Sequence, residues 1–325
     1  MSGGTRILWP LLGLLALLIF NVAATDGFLS VGLIDGRPYG PTVNIVVQAA
    51  KIVLVGVGMT LVIATGGVDL SVGSVMAIAG AVAATVAAGA GAAVGVLAAL
   101  AAGAAVGAAN GALVSYLRIQ PIIATLIFMV LGRGIAMLVA DGQPVAIESR
   151  LLLGFGGLAP VLALAVFVGT FLLLNRTALG LFVASVGDNG VASRLCGLNS
   201  GLIKLLVYAF SGLCAAVAGL AAAGRVERAD ATRLGELVEL DAIFAVVVGG
   251  TALAGGRFSL GGTVVGALLI QTLTITLINQ GMPPEITPLP KAVVIVFVCL
   301  LQSPRFRRQV AAPFARLRKP AAQRP

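Results

Sequence analysis

The feature that most restricts the fold is a succession of apolar runs about 20 residues long, separated by short polar breaks, along almost the whole chain. A helix of about that length crosses the ~30 Å hydrocarbon core of a bilayer. Only 10% of the 325 residues are charged and the mean hydropathy is +1.09, whereas an ordinary soluble domain carries about 25% charged residues. A soluble fold of this composition would lack the polar surface to face water. Outer-membrane strands would show short alternating segments instead, and the sequence has none. In lipid each backbone amide needs a partner within its own segment, which a helix supplies. The expected class is therefore all-α, a polytopic membrane helix bundle.

Reading apolar runs between breaks gives ten expected spans, near 7–23, 45–65, 71–89, 92–116, 121–140, 157–174, 203–223, 240–254, 258–278 and 290–303, of which the eighth and tenth are the shortest. With the N-terminus inside, the inside segments hold Arg6, Arg118, Arg176, Arg194, Lys204, Arg257 and the seven basic residues from Arg305 to Arg324. The outside segments hold Arg37, Arg150, Arg225, Arg228 and Arg233. Thirteen against five predicts both termini in the cytoplasm. Arg6, the first apolar run and Val22-Ala23-Ala24 also resemble a cleavable signal peptide; Trp9-Pro10 reads rather as an interfacial anchor, and an uncleaved first span is adopted. The chain divides into a transmembrane domain over 1–305 and a proline-containing basic tail over 306–325, attracted to anionic lipid headgroups. The net charge of +9 sits where membrane topology requires it, so no nucleic-acid partner is expected.

The chain has no histidine, and Cys196, Cys214 and Cys299 lie far apart. That removes histidine acid–base chemistry and the usual zinc spacings; neither metal nor cofactor is expected. No Lys follows a Gly, so there is no phosphate-binding loop and any ATP hydrolysis belongs to another polypeptide.

The segment 79–112 is almost wholly Ala, Gly and Val, with Gly91 and Gly95, then Gly103, Gly107 and Gly111, spaced four apart. Such spacing lets helix backbones approach closely in lipid; packing within the chain suffices to explain it. Asp69 lies in Thr65-Gly-Gly-Val-Asp-Leu-Ser-Val-Gly73. Two readings stand: capping of the next span, or contact with substrate from a broken helix. A similar string, Gly255 to Gly262, precedes the ninth span. Within spans, Asn110, Thr125, Arg133, Gln271 and Thr274 are the polar residues placed to face a pathway, or to bond between helices. A cation such as Arg133 calls for a partner or an aqueous route. The inside loop over about 176–204 contains Asp188-Asn189 before Val191–Leu195, a capped short surface helix, read as either a connector or a docking element. Arg225–Asp241 mixes both charge signs, as a solvated surface or the dock of a soluble partner; its Glu236 and Glu239 share a helical face.

Three stretches, 58–81 (GMTLVIATGGVDLSVGSVMAIAGA), 119–145 (IQPIIATLIFMVLGRGIAMLVADGQPV) and 186–199 (VGDNGVASRLCGLN), resemble the ribose-type permeases of ATP-binding cassette (ABC) importers over roughly residues 40–305. Within that family, 34–40, 239–250 and 281–285 are most similar to galactofuranose-importer permeases. The resemblance implies a cytoplasmic ABC ATPase, a second permease subunit, a periplasmic sugar-binding protein and a bacterial inner-membrane location. It implies that 187–199 hold a coupling helix, carried here by Gly187, Asp188, Asn189, Ala192, Arg194 and Gly197, with Ser193 where the usual pattern has a second Ala. Import of a monosaccharide by alternating access follows, without covalent chemistry by this chain. The alternative is an ion-coupled secondary sugar transporter, which should place paired acids within spans, where only Asp69 and Asp241 are candidates.

Overall fold

The computed structural model describes residues 4–34, 37–283 and 285–302; the basic tail over 306–325 lies outside them. Helices follow one another in the order α1 (Gly4–Ala24), α2 (Pro41–Ala64), α3 (Val72–Ala90), α4 (Ala92–Ser115) and α5 (Pro121–Val139). Next come α6 (Arg150–Gly157), α7 (Ala159–Arg176), α8 (Leu179–Asp188), α9 (Gly190–Leu195) and α10 (Ser200–Val226). The chain continues through α11 (Val238–Val248), α12 (Leu260–Asn279) and α13 (Pro288–Gln302). Two small antiparallel pairs complete it: β1 (Gly32–Ile34) with β2 (Arg37–Tyr39), and β3 (Val145–Ala146) with β4 (Arg228–Ala229).

Eight of these helices, α1 to α5, α7, α10 and α12, are long and apolar enough to cross a membrane. The protein is a polytopic helical membrane bundle. The other two expected spans are shorter helices: α11 has 11 residues and α13 has 15, about 16 and 22 Å at 1.5 Å per residue. Leu237, in the left-handed region at φ 58°, precedes α11, and Gly250 at φ 91° follows it, so the chain turns sharply at both ends. Short helices flanked by irregular backbone are tolerated at bilayer depth only when protein covers them, and α11 packs on α12 and α2.

The interior is organised around α10, which touches α2, α3, α4 and α6. Its face against α4 is set by the glycine ladder read in the sequence. A methyl group at Gly111 would stand 2.7 Å from Leu205 Cα, and one at Gly103 would stand 2.6 Å from Ala216 Cβ. At Gly107 it would run into the Tyr208 carbonyl. Gly95 makes the same approach to α3, where a methyl group would lie 2.6 Å from the Ala83 carbonyl oxygen. These glycines are spent within the chain, where dispersion between close backbones replaces the water exclusion that lipid cannot provide. The first span joins the bundle through a buried polar bond, Asn21 Nδ2 donating to Thr276 Oγ1 at 2.6 Å.

Candidate functional site

Between α2 and α3 the helix breaks over 65–71, inside the bundle. Gly66 takes φ 79° there, a conformation cheap only for glycine. Asp69, 1% exposed, accepts from the Ser71 amide at 3.0 Å, from the Ser71 hydroxyl at 2.6 Å and from the Ser211 hydroxyl at 2.9 Å. Asn110 Nδ2 donates to Ser71 Oγ at 2.8 Å. The Val68 carbonyl receives the Tyr208 hydroxyl at 3.3 Å and that of Thr125 at 3.4 Å. Ser211 stands about 16 Å along α10 from its start, so these polar groups lie at membrane depth. The break is thereby solvated by protein: α4, α5 and α10 supply the donors that water cannot.

Asp69, Asn110 and Thr125 thus meet in one cluster, and Asp69 takes up the amide that opens α3. None of the three lines the cavity at either end of the bundle. No cation pairs with Asp69 among the described residues. Its two oxygens are met by three donors, so the buried side chain is held without a counter-ion.

A cavity of about 450 Å³ opens at the other ends of these helices, lined among others by Gln48 and Lys51 of α2, Asp241 of α11 and Gln271 of α12. Its remaining charges come from the 227–237 segment: Arg228, Asp230, Arg233 and Glu236. Cations and acids are equal in number on its walls. Lys51 has neither a hydrogen bond nor an ion pair among the described residues, whereas Asp241 is held by Lys291 at 3.1 Å. Arg133 does not reach the cavity. Its Nη1 donates to the carbonyls of Ala231 (2.9 Å) and Leu234 (2.7 Å), pinning the wall segment instead. Asp230 folds that segment by accepting from the Thr232 hydroxyl at 2.6 Å and amide at 2.9 Å; the hydroxyl above all holds its carboxyl below the usual carboxylate range. Sequence reasoning reaches Gln271 but misses Gln48 and Lys51. Lys51 carries a readable signal, a lysine inside an apolar span.

At the opposite end, α8 and α9 form the surface element expected over 176–204. Asn189 caps α9, its Oδ1 accepting from the Val191 and Ala192 amides at 3.0 Å each. Gly197 at φ 85° ends the turn that follows. Val191, Ala192, Arg194 and Leu195 point outward, Leu195 being 86% exposed. Gly187 faces inward. A methyl group there would strike the Ala64 carbonyl and lie 2.5 Å from the Gly256 amide nitrogen, and Gly256 itself donates to Ala64 O at 2.9 Å. Gly255 in turn approaches Gly187 and Gly66. The two glycine-rich strings singled out in the sequence, before α3 and before α12, therefore meet each other and the α8–α9 junction at one point.

Residues 42–299 match the family described as branched-chain amino acid transport system / permease component. A galactofuranose transporter permease protein of Escherichia coli (strain K12) is 45% identical over 93% of this chain and 92% of its own length. A fructose import permease of Bifidobacterium longum (strain NCC 2705) is 39% identical over 93% and 88%, and the ribose import permease of Escherichia coli (strain K12) 38% over 80% and 84%. No solved structure matches the chain. With eight membrane-length helices and a family match over most of its length, the chain belongs to this family of transport-system permease components.

Proposed function

We propose that this chain is the membrane-spanning permease subunit of an ATP-binding cassette importer that brings a monosaccharide, galactofuranose or one like it, across a bacterial inner membrane. The observation that carries this reading is the convergence at Gly187. An exposed, capped helix (α9) is joined through Gly187 to the breaks before α3 and α12, so a push on α9 is delivered to two helices at membrane depth. That is what coupling to a separate ATPase requires. The charge-balanced outer cavity supports a neutral substrate, with Gln48, Lys51 and Gln271 offering hydrogen bonds to hydroxyls. Asp69, Asn110 and Thr125 serve the pathway by holding the break that flanks it, and Arg133 by holding the cavity wall.

In this reading residues 1–305 form one transmembrane domain with both termini cytoplasmic, and the loop over 176–204 meets the ATPase. A second permease subunit, a paralogue of this one, completes the pathway, a periplasmic sugar-binding protein delivers substrate at the 227–237 side, and the basic tail rests on lipid. ATP binding closes the ATPase, α9 moves, and the site is exposed alternately to the two sides. Asp69 and Asp241, the two acids that could pair for ion coupling, do not favour it, since Asp69 is taken up by hydroxyls and Asp241 by Lys291.

The test is co-purification with the neighbouring ATPase and second permease, followed by ATP hydrolysis in the presence of sugar-loaded binding proteins. Stimulation by a galactofuranose-loaded protein, lost in Asn189→Arg or Ala192→Glu, is the expected result. Hydrolysis indifferent to both substitutions, or uptake driven by a proton gradient alone, would overturn the reading.

A further inference from the structure

A second cavity, of about 500 Å³, lies at the α9 end of the bundle, between the α4–α5 connection and the start of α10. Arg118, Arg194 and Lys204 line it, together with Gln120, and among the described residues its walls carry no Asp or Glu. The three cations come from three separate segments, and none has an ion pair or hydrogen bond among the described residues. Arg194 stands close enough to Lys204 for the two charges to repel. Arg118 is held in the left-handed region at φ 56°, which is uncommon for a residue other than glycine and persists where surroundings impose it. α5, α9 and α10 begin at this cavity while α4 ends there, so the helix dipoles do not cancel and add to the positive potential of the side chains.

The contrast with the outer cavity decides the ligand's sign. There acids and cations are equal in number; here only cations converge, and an anion is what removes their mutual repulsion. Two guanidinium forks and an ammonium suit a group with several oxygens arranged about one centre, which is phosphate rather than a single carboxylate. We infer that this cavity is a phosphate-binding site, formed by Arg118, Arg194 and Lys204. It lies where membrane-crossing helices end, at the level of phospholipid headgroups, which are one source of such a group; soluble phosphate compounds are the other. The bound phosphate bridges α9 to the α4–α5 connection and to α10. The site goes beyond the transport reading and does not depend on the identity of the sugar.

The experiment uses the full chain purified in detergent. Native mass spectrometry after incubation with phosphatidylglycerol or phosphatidylcholine reads the lipid source, and calorimetry with inorganic pyrophosphate reads the soluble one. Retention of phosphatidylglycerol but not phosphatidylcholine, reduced at least about tenfold in the double variant Arg118→Gln/Lys204→Gln and less than about twofold in Arg150→Gln/Arg176→Gln, is expected for a headgroup site, tenfold being the loss of about one charge-assisted bond. Pyrophosphate binding with the same dependence on Arg118 and Lys204, and no lipid selectivity, supports the site with a soluble ligand. Where phosphatidylglycerol is selectively retained by the unmodified protein, pyrophosphate must displace it, a readout that does not rely on any variant folding. Binding of neither probe overturns the inference. So does a double variant that binds both probes normally but loses the co-purified ATPase, because the cations then serve an acidic protein segment.

Discussion

Replacing Gly187 with Ala adds one methyl group at the point where α8 meets the breaks before α3 and α12. That group would strike the Ala64 carbonyl, 2.9 Å from its carbon, and lie 2.5 Å from the Gly256 amide nitrogen. All these are backbone atoms, so no rotamer change relieves the crowding, and either α8 moves away or Gly256 gives up its 2.9 Å bond to Ala64 O. Overpacking of this kind costs about 1–3 kcal/mol, and a lost hydrogen bond adds about 1 kcal/mol. A destabilisation of about 2–4 kcal/mol is therefore expected, together with a loss of ATP-driven uptake in proteoliposomes, because the strain falls on the linkage between α9 and the bundle. Gly190, three residues on, has nothing within 4 Å of where its methyl group would stand. Gly190→Ala should leave the unfolding midpoint of the purified permease unchanged or slightly raised, since Ala is the better helix former by about 1 kcal/mol. Equal unfolding midpoints for the two variants would refute the argument, as would full uptake by Gly187→Ala.

Asp69→Ala leaves the Ser71 amide and the Ser71 and Ser211 hydroxyls without their acceptor and should destabilise by about 3 kcal/mol, with Asp69→Asn costing less than half of that because one acceptor remains; thermal unfolding showing Asp69→Ala as stable as the parent would contradict it. Gly107→Val forces α4 away from the Tyr208 carbonyl and should abolish a monodisperse, folded product in size-exclusion chromatography. Gln271→Ala and Lys51→Met should each lower sugar uptake about tenfold, one hydrogen bond's worth, while ATPase co-purification stays intact; unchanged uptake would remove the outer cavity from the pathway. The carboxyl of Asp230 is depressed, first by the Thr232 hydroxyl. Its turn is therefore stabilised fully above about pH 4, the free carboxylate's value, and loses that support only as pH falls through the lower folded value. Limited proteolysis within 227–237 should stay slow down to about pH 4, and cleavage that sets in well above that contradicts the assignment.

Sequence alone determined the class of this protein, because apolar run length answers to bilayer thickness and to nothing in the rest of the fold. The expected spans coincide with helices to within a few residues, except that α11 stops at Val248, six residues short of the expected end at 254. Local chemistry was equally legible: Asn189 caps α9 through amides two and three residues away, and Gly103, Gly107 and Gly111 mark a helix face by their spacing. Tertiary structure decided which face met which. No pattern in the sequence says that α10 receives that glycine ladder, or that Asp69 finds Ser211 142 residues away. It also decided that Arg133 braces a loop while Lys51 faces a cavity, although both are single cations in apolar helices. Polar side chains within spans are ambiguous by nature, since the same amide or hydroxyl can solvate a broken helix or meet a substrate. The choice rests on the azimuth and depth at which neighbouring helices dock, and those are fixed by packing between segments far apart in the chain.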